Sequence, residues 1–399
     1  MILSPVLPPH DSGQAVMIAR TFAGFDPDSY VLATIRHPAY RNVHPELNVP
    51  HLPGRIFTIP QSHRLRRYSR HHVSWAREFL QLPVRFVQAG LRVAELIKAA
   101  RCEAVLAFSG ADGLDCVPAG LIGSRLAGVP CFIVLYDWWR YQIEYHLGRW
   151  RPFAAQIERL ALTLADRAIV TNDVQADDYF RLYGVDCTVA YNGAEEAVFA
   201  ETAPLPWPRA EGQVQMVYTG QIYEAHFDAL RNAIAAVAQL QAEGVSIELY
   251  SAQTERDVER GGIGAPAIFR AHLPPPAIYE VQRQADIVLL PLAFESPYPE
   301  LIRTAATTKL AELLACGRPL LVHAPPGSFV AWYVSTYDCG VVVDRNDPQA
   351  VVAAIRRIKD DEALRRRVTA NAQVRARTDF SIAQTQSRIA SVVGSAGRA

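Results

Sequence analysis

A chain of 399 residues, half of them hydrophobic by type, is long enough for two ordinary domains, each with its own core. Forty Lys and Arg balance forty Asp and Glu, so no global basic field exists to drive nucleic-acid binding, and nucleic acid is excluded as a main partner. The six cysteines (Cys102, Cys116, Cys131, Cys187, Cys316, Cys339) form no C-x-x-C pair and sit in apolar stretches. They read as buried thiols of a reducing cytosol, with neither a disulfide framework nor a structural zinc. The start, Met1-Ile2-Leu3-Ser4-Pro5, has no basic n-region, and no uninterrupted apolar run of transmembrane length follows it. The expectation is a cytoplasmic protein, at most peripheral at the inner face of the membrane.

In chain order, short apolar and β-branched runs alternate with helical periodicity. Strands are predicted at Tyr30–Ile35, Arg55–Ile59, Ala104–Phe108, Cys131–Tyr136, Ala168–Thr171 and Thr188–Tyr191, with helical segments at Gly13–Ala23, Leu114–Ala127, Pro152–Ala165 and Val174–Tyr183. Pro204, Pro206 and Pro208 mark residues 201–212 as a stiff linker. The alternation then begins again with strands at Val214–Thr219, Ser246–Tyr250, Ala267–Arg270, Ile287–Leu290, Pro319–Val322 and Gly340–Val343. Helices are expected at Asp228–Ala242, Ala277–Arg283, Thr307–Ala315, Pro348–Ile358 and Glu362–Arg375. This is an α/β chain of two Rossmann-like, doubly wound halves, expected to face a central cleft. Residues 1–200 form the first half, 213–377 the second, and a final helical segment in 378–399 is expected to return to the first.

Several familiar signals fail. There is no G-x-x-x-x-G-K-[ST] phosphate loop. Gly262-Ile263-Gly264 precedes a strand, whereas a dinucleotide fingerprint must follow one. Asp26-Pro27-Asp28 has a D-x-D shape but suits a turn, and His71-His72 lacks a ligand partner at zinc spacing, so no metal is expected. The informative segment runs from Ala285 to His323: a buried strand, a polar loop, then Thr307-Thr308-Lys309-Leu310-Ala311-Glu312 opening a helix. Free N–H groups, two hydroxyls and Lys309, one of only three lysines, would bind an anion there. Glu312 lies on the same helix face and would accept hydrogen bonds from a ribose diol. A capped helix with a surface Lys/Glu pair is the alternative.

Thr-Lys-Leu-Ala-Glu-Leu-Leu-Ala-Cys-Gly-Arg-Pro after Ala-Asp-Ile-Val-Leu-Leu-Pro resembles the donor-site signature of GT-B retaining glycosyltransferases of the family 4 type. The likeness extends to Asp11-Ser12-Gly13-Gln14, Tyr191-Asn192-Gly193, Val217-Tyr218-Thr219-Gly220 and the helix after Asp379-Phe380-Ser381. The resemblance implies that Glu312 holds the donor ribose, that Thr307, Thr308 and Lys309 face the diphosphate, and that Gly220 and Gly13 let backbone approach the phosphates. Asp137, with Tyr136 where the family usually has His, falls near the reacting sugar. Gln221 and His226 stand about where relatives carry Arg and Lys, so Arg303 or Lys309 would supply that charge. Thr304 replaces the first glutamate of the family's E-x7-E element.

Residues 55–101 carry ten basic residues against Glu78 and Glu95, with Trp75, Phe79, Phe86, Leu91 and Leu96 interleaved. Such a surface would suit an anionic membrane and a lipid-linked acceptor; the alternative is a packed helix pair with an arginine-rich outside. The resulting expectation is a metal-independent, retaining hexosyltransferase. It would use a UDP- or GDP-linked sugar as donor and a glycan or lipid-linked acceptor, in surface glycan or glycolipid assembly. It would need no cofactor. The rival readings are a catalytically silent GT-B subunit that binds a partner, and a GT-B nucleotide-sugar epimerase.

Overall fold

The structure is a computed structural model that describes residues 1–10, 12–35, 51–60, 72–109, 115–138, 140–141, 151–199, 206–208 and 210–396, with side chains except at 72–80, 151, 153, 275, 395 and 396. By its contacts the chain forms two compact units, Met1–Tyr191 with Thr385–Ala399, and Asn192–Gln384. The division falls at Tyr191/Asn192, ahead of the proline-rich stretch. The described end of that stretch is tied to the second unit, where the Trp207 indole donates to the Asp286 carbonyl at 2.9 Å and Arg318 donates to the Pro206 carbonyl at 3.1 Å.

The first unit is built on β1 (Ile2–Leu3), β2 (Val31–Ile35), β3 (Arg55–Ile59), β4 (Val105–Ser109), β5 (Cys131–Leu135), β6 (Arg167–Val170) and β7 (Cys187–Val189). They pair in the order β3-β2-β1-β4-β5-β6-β7, all parallel. Every residue of β4 and β5 is buried, as expected for parallel strands covered by helices on both faces. β1 is a two-residue strand that the sequence pattern does not reveal, yet it sits at the point where the strand order reverses. Within the basic stretch, the described residues after β3 form one long helix, His72–Ala99, with Pro83 inside it. Gly90 and Gly123 let that helix pack closely on Cys116–Ala127, since an added Cβ would come within 2.5 Å of Ile122 or Val93. The last helix, Ile382–Ala396, places Ile389 and Val392 in the first unit's core beside Ile2, Ile18 and Phe132.

The second unit repeats the plan with β8 (Val214–Thr219), β9 (Val245–Ser251), β10 (Ile268–Ala271), β11 (Ile287–Pro291), β12 (Leu320–His323) and β13 (Val341–Val343), ordered β10-β9-β8-β11-β12-β13 and again all parallel. The strand order reverses between β8 and β11, so the loops leaving the carboxyl ends of these two strands flank a crevice, the usual ligand position in such sheets. No helix among the described residues is long and apolar enough to cross a membrane.

Candidate functional site

The second unit brings Gly220, Gln221, His226, Arg303, Thr307, Thr308, Lys309 and Glu312 onto the loops and helix starts that follow β8 and β11. Gly220 directly follows β8, with φ +128, a conformation that only glycine adopts without strain. A Cβ at this position would lie 2.0 Å from the Lys309 Nζ. The ammonium therefore rests where any other side chain would begin. It donates to the Tyr218 hydroxyl at 3.2 Å and lies 4.9 Å from the centre of that ring. Burial pushes the Lys309 pKa down to about 8, partly offset by the Glu312 carboxylate one helical turn on.

The helix opens at Lys309 and ends at Ala315. Two of its first N–H groups are already engaged: Lys309 N–H reaches the Thr307 hydroxyl at 3.4 Å and Leu310 N–H the Thr307 carbonyl at 3.1 Å. The expectation of a helix start with freely available donors is corrected accordingly, because Thr307 turns back on its own helix. Positive charge at this point comes from the Lys309 side chain. The helix closes through Gly317, at φ +75, and Arg318 is buried, donating to the Arg283 carbonyl at 2.6 Å. The Ala-Cys-Gly-Arg-Pro turn thus serves a structural closure that holds the helix in place.

His226 is buried at the head of the helix Phe227–Leu240, and its Nδ1 finds no hydrogen-bond partner. Burial first, and the neighbouring Lys309 charge second, push its pKa down to about 3, so the imidazole is neutral at any physiological pH. Its ring meets that of Tyr223 edge-on at 4.6 Å. Gln221 is exposed, and its carbonyl accepts the Tyr218 hydroxyl at 2.5 Å.

Asp228, which sequence reasoning missed, fixes the loop after β11. Its buried carboxylate accepts the N–H groups of Ala229 at 2.7 Å, Phe294 at 2.9 Å and Glu295 at 2.7 Å. Its place in the first turn of a helix was the available signal. The loop continues to the short helix Pro299–Arg303, where Arg303 is half-buried. Thr304 is buried, its hydroxyl bonded back to the Glu300 carbonyl at 3.0 Å.

In the first unit, β5 ends just before Tyr136 and Asp137. The Tyr136 ring stacks on Phe108 at 5.8 Å, burial raises its hydroxyl pKa, and Asp137 is exposed. Gly13 is the first residue of a helix capped by the Ser12 hydroxyl, not a loop glycine, and an added Cβ there would meet nothing within 4 Å. Asp11, His71, Arg64, Arg66, Arg67 and Arg70 lie outside the described residues. The Asp26 turn behaves as expected, Asp26 accepting the Asp28 N–H at 3.0 Å.

With this geometry in place, residues 213–361 match the family described as glycosyl transferases, group 1. Over those residues the second unit is similar to group 1 glycosyl transferases. The chain as a whole has the GT-B fold: it is similar to HepE of Anabaena in complex with UDP and glucose at 15% identity and TM-score 0.62, over 99% of each chain. It is similar to WaaG, a glycosyltransferase involved in lipopolysaccharide biosynthesis, at 15% identity and TM-score 0.65, over 99% of this chain and 100% of that one. Sucrose-phosphate synthase from Thermosynechococcus elongatus shares 16% identity at TM-score 0.65, over 99% and 98% of the two chains. No curated protein matches the sequence. The group 1 glycosyl transferase match thus spans β8 to the helix Pro348–Asp360, the whole of the second unit's sheet and with it the Lys309 site.

Proposed function

We propose that the protein is a metal-independent, retaining glycosyltransferase that takes its sugar from a UDP- or GDP-linked donor and passes it to a glycan or lipid-linked acceptor. The observation that carries this reading is the Lys309 ammonium seated on Gly220 at the strand-order reversal of a unit similar to group 1 glycosyl transferases. A diphosphate there would meet one desolvated positive charge, which is what a leaving diphosphate needs. Glu312, on the same face of the helix, would take the ribose diol. The neutral His226, with an unused Nδ1, would hydrogen-bond the donor, and Arg303 would add charge from the loop. Gln221 and Thr308 would line the phosphate path. Tyr136 and Asp137, at a strand end of the first unit, would stand on the acceptor side.

The test is release of nucleoside diphosphate from a panel of nucleotide sugars, with and without EDTA. Turnover that EDTA leaves intact is expected; turnover abolished by EDTA and restored by a divalent cation would overturn the metal-independent reading. A second reading, a GT-B subunit that binds the nucleotide without turning it over, draws on Thr304. This buried hydroxyl bonds to its own backbone where the family pattern has a carboxylate. Nucleotide binding with no turnover on any donor would favour it.

The helix His72–Ala99 supports a membrane-side acceptor in a different way from the sequence expectation. Arg85 faces inward, paired with Asp115, and Leu91 faces outward. Val84, Val87 and Leu91 form an exposed apolar stripe with Arg92 and Lys98 beside it.

A further inference from the structure

Asn192 is the first residue of the second unit, and its side chain makes a bond far along the chain: the amide Nδ2–H donates to the Ala306 carbonyl at 2.7 Å, across 114 positions. Ala306 lies in the turn between the helices Pro299–Arg303 and Lys309–Ala315, just ahead of Lys309. Its neighbours bond locally. The Ala305 N–H donates to the Ile302 carbonyl at 3.3 Å, and Thr307 accepts from the N–H groups of Lys309 and Leu310. Those bonds shape the turn, whereas the Asn192 bond fixes where it lies in the unit. The donor is itself anchored: Ala194 bridges to Ser381, its N–H donating to the Phe380 carbonyl at 2.8 Å and its carbonyl accepting the Ile382 N–H at 3.2 Å. Further along the same segment, the Val198 carbonyl accepts from Arg283 at 3.4 Å. Asn192 is 8% exposed, so its bond to Ala306 is made largely out of water, where leaving it unmade is costly.

The placement of this turn bears on Lys309, whose ammonium occupies the space over Gly220 and donates to the Tyr218 hydroxyl. Titratable groups facing that ammonium are Tyr218, the neutral His226 and Glu312. A displacement of about 1 Å would carry it off this seat, and misplacement on that scale costs a site much of its function. We propose that Asn192 is a positioning residue for the phosphate-facing site: by holding the Ala306 carbonyl it sets the turn that seats the Lys309 ammonium over Gly220. The proposal rests on the reading of that seat as the diphosphate site, but its main test is made without nucleotide.

The chain has only the lysines Lys98, Lys309 and Lys359, so ε-13C-lysine labelling gives an NMR signal for each, that of Lys309 assigned through Lys309→Arg. In the wild type the Lys309 signal should titrate near pH 8. Asn192→Leu, close in size but without a donor, should raise that midpoint by about one pH unit or more, toward the ordinary value of 10.5, as the ammonium regains water. Asn192→His, which carries an Nδ1–H at the same point of its side chain, should bring it back near 8. Lys359, paired with Glu243 in the same unit, reports general loosening and should stay where it is. Asn192→Ala serves as the donorless variant if the leucine variant folds poorly. Affinity for UDP should fall roughly three- to tenfold in the donorless variant, the range for one hydrogen bond, with uridine little changed. A wild-type Lys309 midpoint already at its ordinary value, a midpoint that the donorless variant leaves unchanged, or a Lys359 signal that moves in step with Lys309 would each overturn the proposal. A wild type that binds no UDP while the Lys309 midpoint moves as expected would overturn the diphosphate reading and leave the positioning role of Asn192 standing.

Discussion

Lys309 ties the residue chemistry to pH. Held near 8 by burial, it is charged below that pH and loses its proton above it in the free protein. A diphosphate prefers the ammonium, so above about pH 8 binding must take up a proton. Affinity for UDP should fall by up to tenfold per pH unit above 8; Lys309→Arg should remove that fall, and calorimetry across pH 7–10 would detect it. The folded state prefers neutral Lys309 relative to the unfolded chain, so this residue's contribution to stability rises between pH 8 and its ordinary value near 10.5 and is least favourable below 8. Glu312→Ala should cost roughly 1.5–3 kcal/mol of nucleotide affinity, the range for hydrogen bonds to a charged group; equal affinity in a folded variant would remove Glu312 from the site. Lys309, Gly220 and Glu312 were legible in the sequence because their spacing carries the motif. Asp228 was not, since its partners lie on a loop that returns 66 residues later to the same helix, and neither was the burial of His226 beside Tyr218, Tyr223 and Lys309.

At the scale of elements, strands with full burial and helices with one apolar stripe were readable from periodicity. Phe329–Thr336 was missed because it is apolar nearly all round, with Phe329, Val330, Tyr333 and Val334 buried, and so has no helical period to detect. Ile2–Leu3 was missed because two residues show no alternation. The interior of His72–Ala99 misled for another reason: a buried arginine looks like a surface one in sequence. Arg85 is 8% exposed and Asp115 4%, and their ion pair anchors this helix to the start of Cys116–Ala127. Removing one member of such a pair strands the other, so Arg85→Ala should destabilise the first unit by about 3–5 kcal/mol, whereas Arg92→Ala on the exposed face should change stability by less than about 1 kcal/mol. Urea denaturation of the two variants would compare them.

For the whole molecule, balanced charge hides an uneven surface. Of the large exposed apolar residues, Val84, Val87 and Leu91 share one helix face with Arg92 and Lys98 nearby. Association with anionic liposomes is expected at low salt and should weaken at high salt. Replacing Val84, Val87 and Leu91 with serine should release the protein while leaving nucleotide binding unchanged; no sedimentation with liposomes at low salt would favour a soluble acceptor. The two Rossmann-like halves were legible because βα alternation runs on either side of a proline cluster, and the GT-B fold was implied by the resemblance that the segment around Lys309 and Glu312 carries. The division at Tyr191/Asn192 was not, since it depends on the contacts that residues 192–199 make.

The central claim, that the Lys309 site holds a nucleoside diphosphate, is tested most directly by isothermal titration of UDP and GDP, each beside its bare nucleoside, into the wild type and Lys309→Ala. Saturable one-to-one binding of at least one diphosphate is expected. Lys309→Ala should weaken the diphosphate by about 10- to 150-fold while changing the nucleoside little, the loss corresponding to roughly 1.5–3 kcal/mol. No binding of either diphosphate to the wild type, or equal losses for nucleotide and nucleoside, would contradict it.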